Sequence, residues 1–335
     1  MTPITCATFL ASLKAAAAGA VLALPAGPCP MPTLNGVNPP GVVRITSQNP
    51  SNPAILAGDF KIANSSNLAF SQLVVDFSTT DDPYWAGRMS DIKNVSFDQV
   101  EIRSSGPTVA WPGGFDVTDS DHFAVTNSKV HDIGSAAFNI LRATNATISG
   151  NDFYRWGKSA VGAGQVQNFT FSNNKVHDAF PVIGTHADGL QILTAGTTAQ
   201  SNGLTITGNH LWTGQGWAFQ GLFIQDELGT MPICNVRVTG NLLYGTMWDS
   251  LWLKNVCGTN TVANNLMISW PQPDIDATTD LTKPVITAFT ANLNTWVAAG
   301  ATLTMTGNMA QSFSDANGKW VAALPGNTKL GVAAN

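Results

Sequence analysis

The chain has 335 residues, of which 44% are hydrophobic and only 11% charged, with 31 Gly, 18 Pro and a net charge of −5. Its length is ample for a full core, no composition shift marks a second domain, and the negative balance gives no general attraction for nucleic acid or an anionic membrane. No uninterrupted apolar run reaches the roughly 18 residues of a membrane span, so neither nucleic acid nor membrane is expected as a partner.

We read residues 1–335 as a single domain, with a cap and first coil over 1–30, coils over 31–310 and a C-terminal cap or tail over 311–335. Thr5 to Ala18 reads as an amphipathic helix whose Phe9 and Leu13 face the core, a plug for one open end. Ala15 to Leu24 is apolar, but Lys14 is the only basic residue before it, which argues against a secretory signal. The four cysteines fall into two candidate pairs, Cys6 with Cys29 and Cys234 with Cys257. Reduced core thiols are the alternative. If the bonds form, the protein works outside a reducing compartment, and we expect it to be extracellular, secreted or borne on a virion. The sequons at Asn64, Asn94, Asn145 and Asn168 read as corner asparagines.

From the middle of the chain onward a short alternating run ends repeatedly in Gly-Asn or Asn-Asn, at Asn151, Asn174, Asn209, Asn241, Asn265 and Asn308. A step of about 23 residues, lengthened by insertions, is one coil of a solenoid. Thr, Val, Ile and Phe alternating with small polar residues give a strand with one buried face, and the Gly/Asn pair supplies a left-handed corner. The expected fold is all-β: a single-stranded right-handed parallel β-helix. Its coils should stack roughly 4.8 Å apart, with asparagines at equivalent corners forming ladders. Cys234 precedes its corner asparagine by about as many residues as Cys257 does, which sets the two thiols on adjacent coils.

A second strand in each coil aligns on Phe115, Phe138, Ala160, Leu190, Leu222 and Leu251, with a second inward column at Val117, Ile140, Gly162, Ile192, Ile224 and Leu253. Residues between these columns point outward, among them Asp116, Asn139, Val161, Gln191, Phe223 and Trp252. Two places before the first column come Lys158, Asp188, Gln220 and Asp249; two places after the second come Arg142, Thr194 and Asp226. In a chain with so few charges, their gathering along one side marks a candidate cleft.

The sharpest motif is His186-Ala187-Asp188-Gly189-Leu190-Gln191. It resembles the His-x-Asp-Gly-x-Gln strand of right-handed parallel β-helix proteins of the pectate-lyase-like superfamily, which includes polysaccharide lyases, glycoside hydrolases and phage tailspike depolymerases. The cap followed by Gly19-Ala20-Val21-Leu22-Ala23-Leu24-Pro25-Ala26-Gly27 is similar to the opening of alginate- and chondroitin-lyase-type members. Galacturonan hydrolases of the superfamily carry a paired Asp-Asp in the following coil, where this chain has Gln220-Gly221. The resemblance implies a carbohydrate-active protein acting on an extracellular polysaccharide.

Two chemistries suit the charged stripe. Elimination on a uronate polymer needs a base and a group that neutralises the carboxylate, roles open to Lys158, Arg142 and His186. Hydrolysis needs two carboxyls about 5–9.5 Å apart, available from Asp188, Asp226, Glu227 and Asp249. The alternative for Lys158 and Asp188 is a surface ion pair of small energetic value. Candidate substrate contacts are Gln191, Gln220, Trp217, Trp248, Trp252, Tyr154, Arg155, His131 and Glu227. His131 and His177 occupy copies of one repeat position, Lys-Val-His-Asp, which argues for a structural corner. The Trp residues of the later coils suit stacking on sugar rings. No spacing resembles a zinc site and no cofactor is implied, while calcium bridging to substrate carboxylates stays open. A non-catalytic glycan-binding or tail-fibre β-helix is the reading from a different class, and the expected assembly is a monomer or a homotrimer.

Overall fold

The protein is described from a computed structural model covering residues 1–106, 112–181, 183, 185, 187–275, 280 and 282–331. Its strands pair in parallel from coil to coil along the length of the chain, as in Phe138–Thr144 with Ser159–Gly164 and Asp188–Leu193 with Gln220–Gln225. One sheet wraps two sides of the solenoid, and a second sheet covers the third, running from Gly27–Pro30 to Thr328–Lys329. A continuous hydrophobic core runs from Ile4 to Phe313. Phenylalanines fill its early coils, where Phe70 lies parallel to Phe97 at 4.9 Å between ring centroids.

The corner asparagines form the expected ladder. The Asn151 side chain donates to Asn174 Oδ1 at 3.1 Å, Asn174 to Asn209 at 3.0 Å, and the series continues through Asn241, Asn265 and Asn308 to Asn327. Each of these side chains also accepts from the main-chain N–H of the residue one coil earlier, so a buried polar group is satisfied at every step. The four sequon asparagines sit at corners with φ between 49° and 56°, the left-handed region that Asn tolerates. The longest interval, 43 residues between Asn265 and Asn308, contains a projecting antiparallel pair, Pro271–Asp274 with Val285–Ala288.

A helix spanning Phe9–Lys14 closes the N-terminal end, with Phe9 and Leu13 fully buried. It is shorter than the span Thr5 to Ala18 expected from amphipathicity. Thr5 and Thr8 exchange side-chain and main-chain hydrogen bonds in a turn before it, a local alternative to helix open to Ser and Thr. Both disulfides are present, Cys6–Cys29 and Cys234–Cys257, with Cα separations of 5.4 and 4.3 Å. The second bond joins residues directly paired on adjacent coils.

One coil departs from the expected alignment. Phe138 pairs with Val161, which pairs with Leu190, so Val161 and Ala163 point inward and Gly162 takes the outward position. Ala160 and Val161 are both fully buried, so apolar alternation alone cannot choose between them. The shift moves Lys158 out of the column it was expected to share with Asp188. Ser159 stands there instead.

Candidate functional site: a polar-to-aromatic face on the first strands

The corrected register defines one outward column, Arg88, Asp116, Asn139, Gly162, Gln191, Phe223, Trp252 and Asn294. The column turns from charged and amide groups to aromatics along the solenoid axis. Arg88 is held by Asp82, whose carboxyl the guanidinium pulls down to about 2. Asn139 donates to Asp116 at 2.7 Å. At Gly162 an added Cβ would meet nothing nearer than Asn139 Oδ1 at 3.7 Å, so the glycine leaves a notch in the middle of the face. Farther along, Phe223 lies parallel to Trp252 with centroids 5.7 Å apart, and Trp252 meets Trp296 at 4.8 Å.

Beside the notch, at the corner where each coil enters its first strand, stand Lys158, Ser159, Asp188, Gln220 and Asp249. Ser159, Asp188 and Gln220 are in direct register, and Asp249 occupies the equivalent place one coil on, two residues before Leu251. Asp188 is fully buried and its Oδ2 accepts from Gln191 Nε2 at 2.7 Å. Gly189 explains the burial: a Cβ there would collide with Leu211, and one at Gly221 with Leu243 and the Ser250 carbonyl. The Asp-Gly and Gln-Gly pairs thus bring the chain hard against the core and turn the preceding side chain to the rim.

Lys158 is exposed, and its carbonyl accepts from the Asp188 main-chain N–H at 3.1 Å. Among the described residues it makes no ion pair. Ser159 Oγ and Gln220 Oε1, on either side of Asp188, are buried without a hydrogen-bond partner among the described residues. Asn294 donates to Asp249 at 3.1 Å. Trp217 is half-buried and Trp248 exposed, packed edge-on against Phe289 at 4.9 Å; each lies in a loop leading into this corner. His186, expected beside Asp188, lies outside the described residues.

Other expected site residues are placed elsewhere. Arg142 sits at the opposite edge of the strand, at a left-handed corner with φ 55°, and binds both oxygens of Asp119 at 2.6 and 2.8 Å. Lys158 N–H donates to the Ser135 carbonyl, which sets the two cations about seven residues apart in register, roughly 20 Å along the ribbon. They cannot meet on one sugar, so the expected pairing is corrected. Asp226 is 2% exposed and accepts from the Thr194 hydroxyl at 2.8 Å, the Asn255 amide at 2.6 Å and the main-chain N–H groups of Leu228, Gly229 and Met231. Burial alone would raise its pKa, but these donors outweigh it and hold the carboxyl below its usual range, so Asp226 organises its loop. Glu227 beside it is exposed.

His131 and Tyr154 lie on the second sheet, in a column that continues through His177 and Trp212. Their rings stack face to face, His131 on Tyr154 at 4.6 Å and His177 on Trp212 at 4.1 Å. Arg155 pairs with Asp132 at 2.5 Å. This column lies on the second sheet and does not face the Gln191 strand. Among the described residues no group of three His, Cys, Asp or Glu converges as a metal site, and no helix is long and apolar enough to cross a membrane.

Sequence reasoning placed Asn139 on the outward column but missed Ser159, Gly162, Lys254, Trp296 and Asn294 as residues of this face. Ser159 and Gly162 follow from the 23-residue spacing of the asparagine ladder, applied to Phe138.

Among solved structures, an alginate lyase from Paenibacillus sp. str. FPU-7 superposes with a TM-score of 0.53 at 15% identity, covering 78% of this chain and 93% of that one. The A-module of the mannuronan C-5 epimerase AlgE6 of Azotobacter vinelandii gives a TM-score of 0.52 at 16% identity, covering 97% of this chain and 81% of that one. These likenesses establish the fold. No curated protein matches the chain in sequence. The pattern of the right-handed β-helix region matches residues 113–287, which hold the outward column from Asp116 to Trp252 and the corner from Lys158 to Asp249, and on that match the chain belongs to the right-handed parallel β-helix family.

Proposed function

We propose that the protein is an extracellular carbohydrate-active enzyme that cleaves an acidic polysaccharide on this outward face, by β-elimination. The observation that carries the reading is the corner beside Gly162. An exposed lysine that makes no ion pair among the described residues adjoins a buried carboxylate and two buried polar atoms that have no partner among the described residues, in the middle of a face whose later coils carry aromatic rings. An unpaired buried polar group costs about 1–3 kcal/mol, so such groups gathered at one rim point to a ligand that satisfies them. The aromatics suit the apolar faces of sugar rings.

In elimination, Lys158 takes the C5 proton of a uronate, the C–H electrons form the C4–C5 double bond, and the glycosidic C4–O bond breaks with the oxygen leaving protonated by water. The amides of Gln191 and Asn139 are placed to donate to the substrate carboxyl group and to stabilise the charge that builds on it. The two structurally similar proteins named above act on alginate and mannuronan by their names, which agrees with an acidic substrate. Mass analysis of oligosaccharide products tests the reading: elimination gives fragments one water lighter at their new non-reducing ends, and fragments of full hydrated mass would reject it.

One observation favours a second reading. Asp188 and Asp249 stand two coils apart, roughly 10 Å between backbones, near the separation used by inverting hydrolases. Hydrolysis by that pair yields fully hydrated products.

A further inference from the structure

At the opposite edge of the same face, three coils beyond Lys158, lies a cavity of about 400 Å³ lined by Asp226, Glu227, Lys254, Asn255 and Trp296. Lys254 follows Leu253 and pairs in register with Gln225, so it borders the strand that carries Trp252. It is exposed, and although it shares the cavity with two carboxylates it forms an ion pair with neither. Asp226 is not free to attract it, because its oxygens are saturated by Thr194, Asn255 and the amides of its own loop.

The aromatic wall is held as firmly. Trp252 Nε1 donates to Gln225 Oε1 at 2.9 Å and the ring lies against Phe223 on one side and Trp296 on the other. Gly318 packs on the Trp296 indole so closely that any Cβ would overlap it. An oriented ring beside an exposed ammonium and an exposed carboxylate that make no ion pair among the described residues, in a concave site open to the cleft, is a sugar-sized recognition site.

We infer that this cavity is a separate uronate subsite, in which Lys254 takes the carboxylate of a sugar several units away from the cleaved bond and Trp296 takes its ring face. The subsite rests on the reading of the outward face as glycan-binding and extends it by fixing where the polymer runs: from the Lys158 corner, diagonally across Phe223 and Trp252, to Lys254. Glu227, the one exposed carboxylate of the cavity, is placed to accept hydroxyls of the same sugar.

The test measures binding of the full chain to a panel of uronate polymers and to the same polymers with their carboxyl groups reduced to hydroxymethyl, by affinity electrophoresis. For a polymer bound by the wild type, Lys254→Ala should weaken binding roughly fivefold, the scale of a partly exposed ion pair, and should have no effect on the reduced form. Trp296→Ala should weaken both forms, and Trp296→Phe, which keeps a ring against Trp252, should weaken both less. Equal binding by wild type and Lys254→Ala overturns the subsite while leaving the cleft reading intact, and so does an equal loss on both polymer forms. If the wild type binds nothing in the panel, the cleft reading falls and the subsite with it.

Discussion

Lys158 and Arg142 are the two cations that sequence patterning set one coil apart and gave roles in elimination, and although both are exposed their partners differ. Arg142 is spent on a bidentate pair with Asp119 at a left-handed corner, whereas Lys158 is exposed beside the buried Asp188. Lys158→Ala should therefore lower turnover by about 10² or more without disturbing the fold, since the side chain is exposed. Arg142→Ala should leave kcat/KM within about twofold of wild type, because a surface substitution far from the corner is worth little. Steady-state kinetics on one uronate polymer checks both, and equal losses in the two variants would contradict the register. Asp188 was legible as special from its place between His186 and Gly189, but its burial was not. Burial follows from how closely Gly189 approaches Leu211, a contact between residues 22 positions apart that no local pattern encodes.

Two kinds of side-chain ladder join the coils. Asn209 is 1% exposed; its Oδ1 accepts from Asn174 N–H and Nδ2, and its Nδ2 donates to the Phe171 carbonyl and to Asn241. Asn209→Ala should cost about 1–3 kcal/mol for each buried group it orphans, read as a lowered denaturation midpoint. This ladder was legible because Gly-Asn or Asn-Asn recurs at the equivalent corner of successive coils from Asn151 to Asn308. The histidine ladder was legible only as a repeated Lys-Val-His-Asp phrase. His131 lies between Glu101 at 3.4 Å and Asp132 at 2.7 Å, and His177 between Asp152 at 3.0 Å and Asp178 at 2.8 Å. Burial, the largest single influence on each, pushes the pKa down, but the flanking carboxylates together outweigh it and raise both histidines above their usual value. A raised pKa in the folded state contributes stability that is complete below the unfolded value near 6.5 and is lost as pH rises through the folded one. The Tm should therefore fall as pH rises above about 6.5, and the double variant His131→Gln, His177→Gln should flatten that slope. A wild-type Tm constant across that range would contradict the clamp. The coil holding Ala160 to Ala163 was the one misaligned, because its two consecutive buried residues satisfy either register.

At the scale of the whole solenoid, stability rests on coils that contact only their neighbours, so the ends and the long insertions are the weak points. The helix Phe9–Lys14 plugs one end, Cys6–Cys29 fastens it to the next turn, and Cys234–Cys257 ties the base of the Glu227–Met231 loop beside the Lys254 cavity. Each bond spans 23 residues, for which chain-entropy estimates give about 3 kcal/mol. Reduction should lower the Tm by several degrees, and Cys234→Ala with Cys257→Ala should reproduce part of that loss. The solenoid and the Cys234–Cys257 pairing were readable from repeat spacing and the cap from the amphipathic Phe9 and Leu13, whereas the cleft depended on register and on the corner that buries Asp188. Elimination by Lys158 on this face is the central claim, and it is tested most directly by incubating the wild type and Lys158→Ala with a panel of uronate polymers while recording ultraviolet absorbance and new reducing ends together. The two signals should rise in parallel for wild type on at least one polymer and both should collapse in the variant. Reducing ends without absorbance, or absorbance undiminished by the substitution, would contradict it.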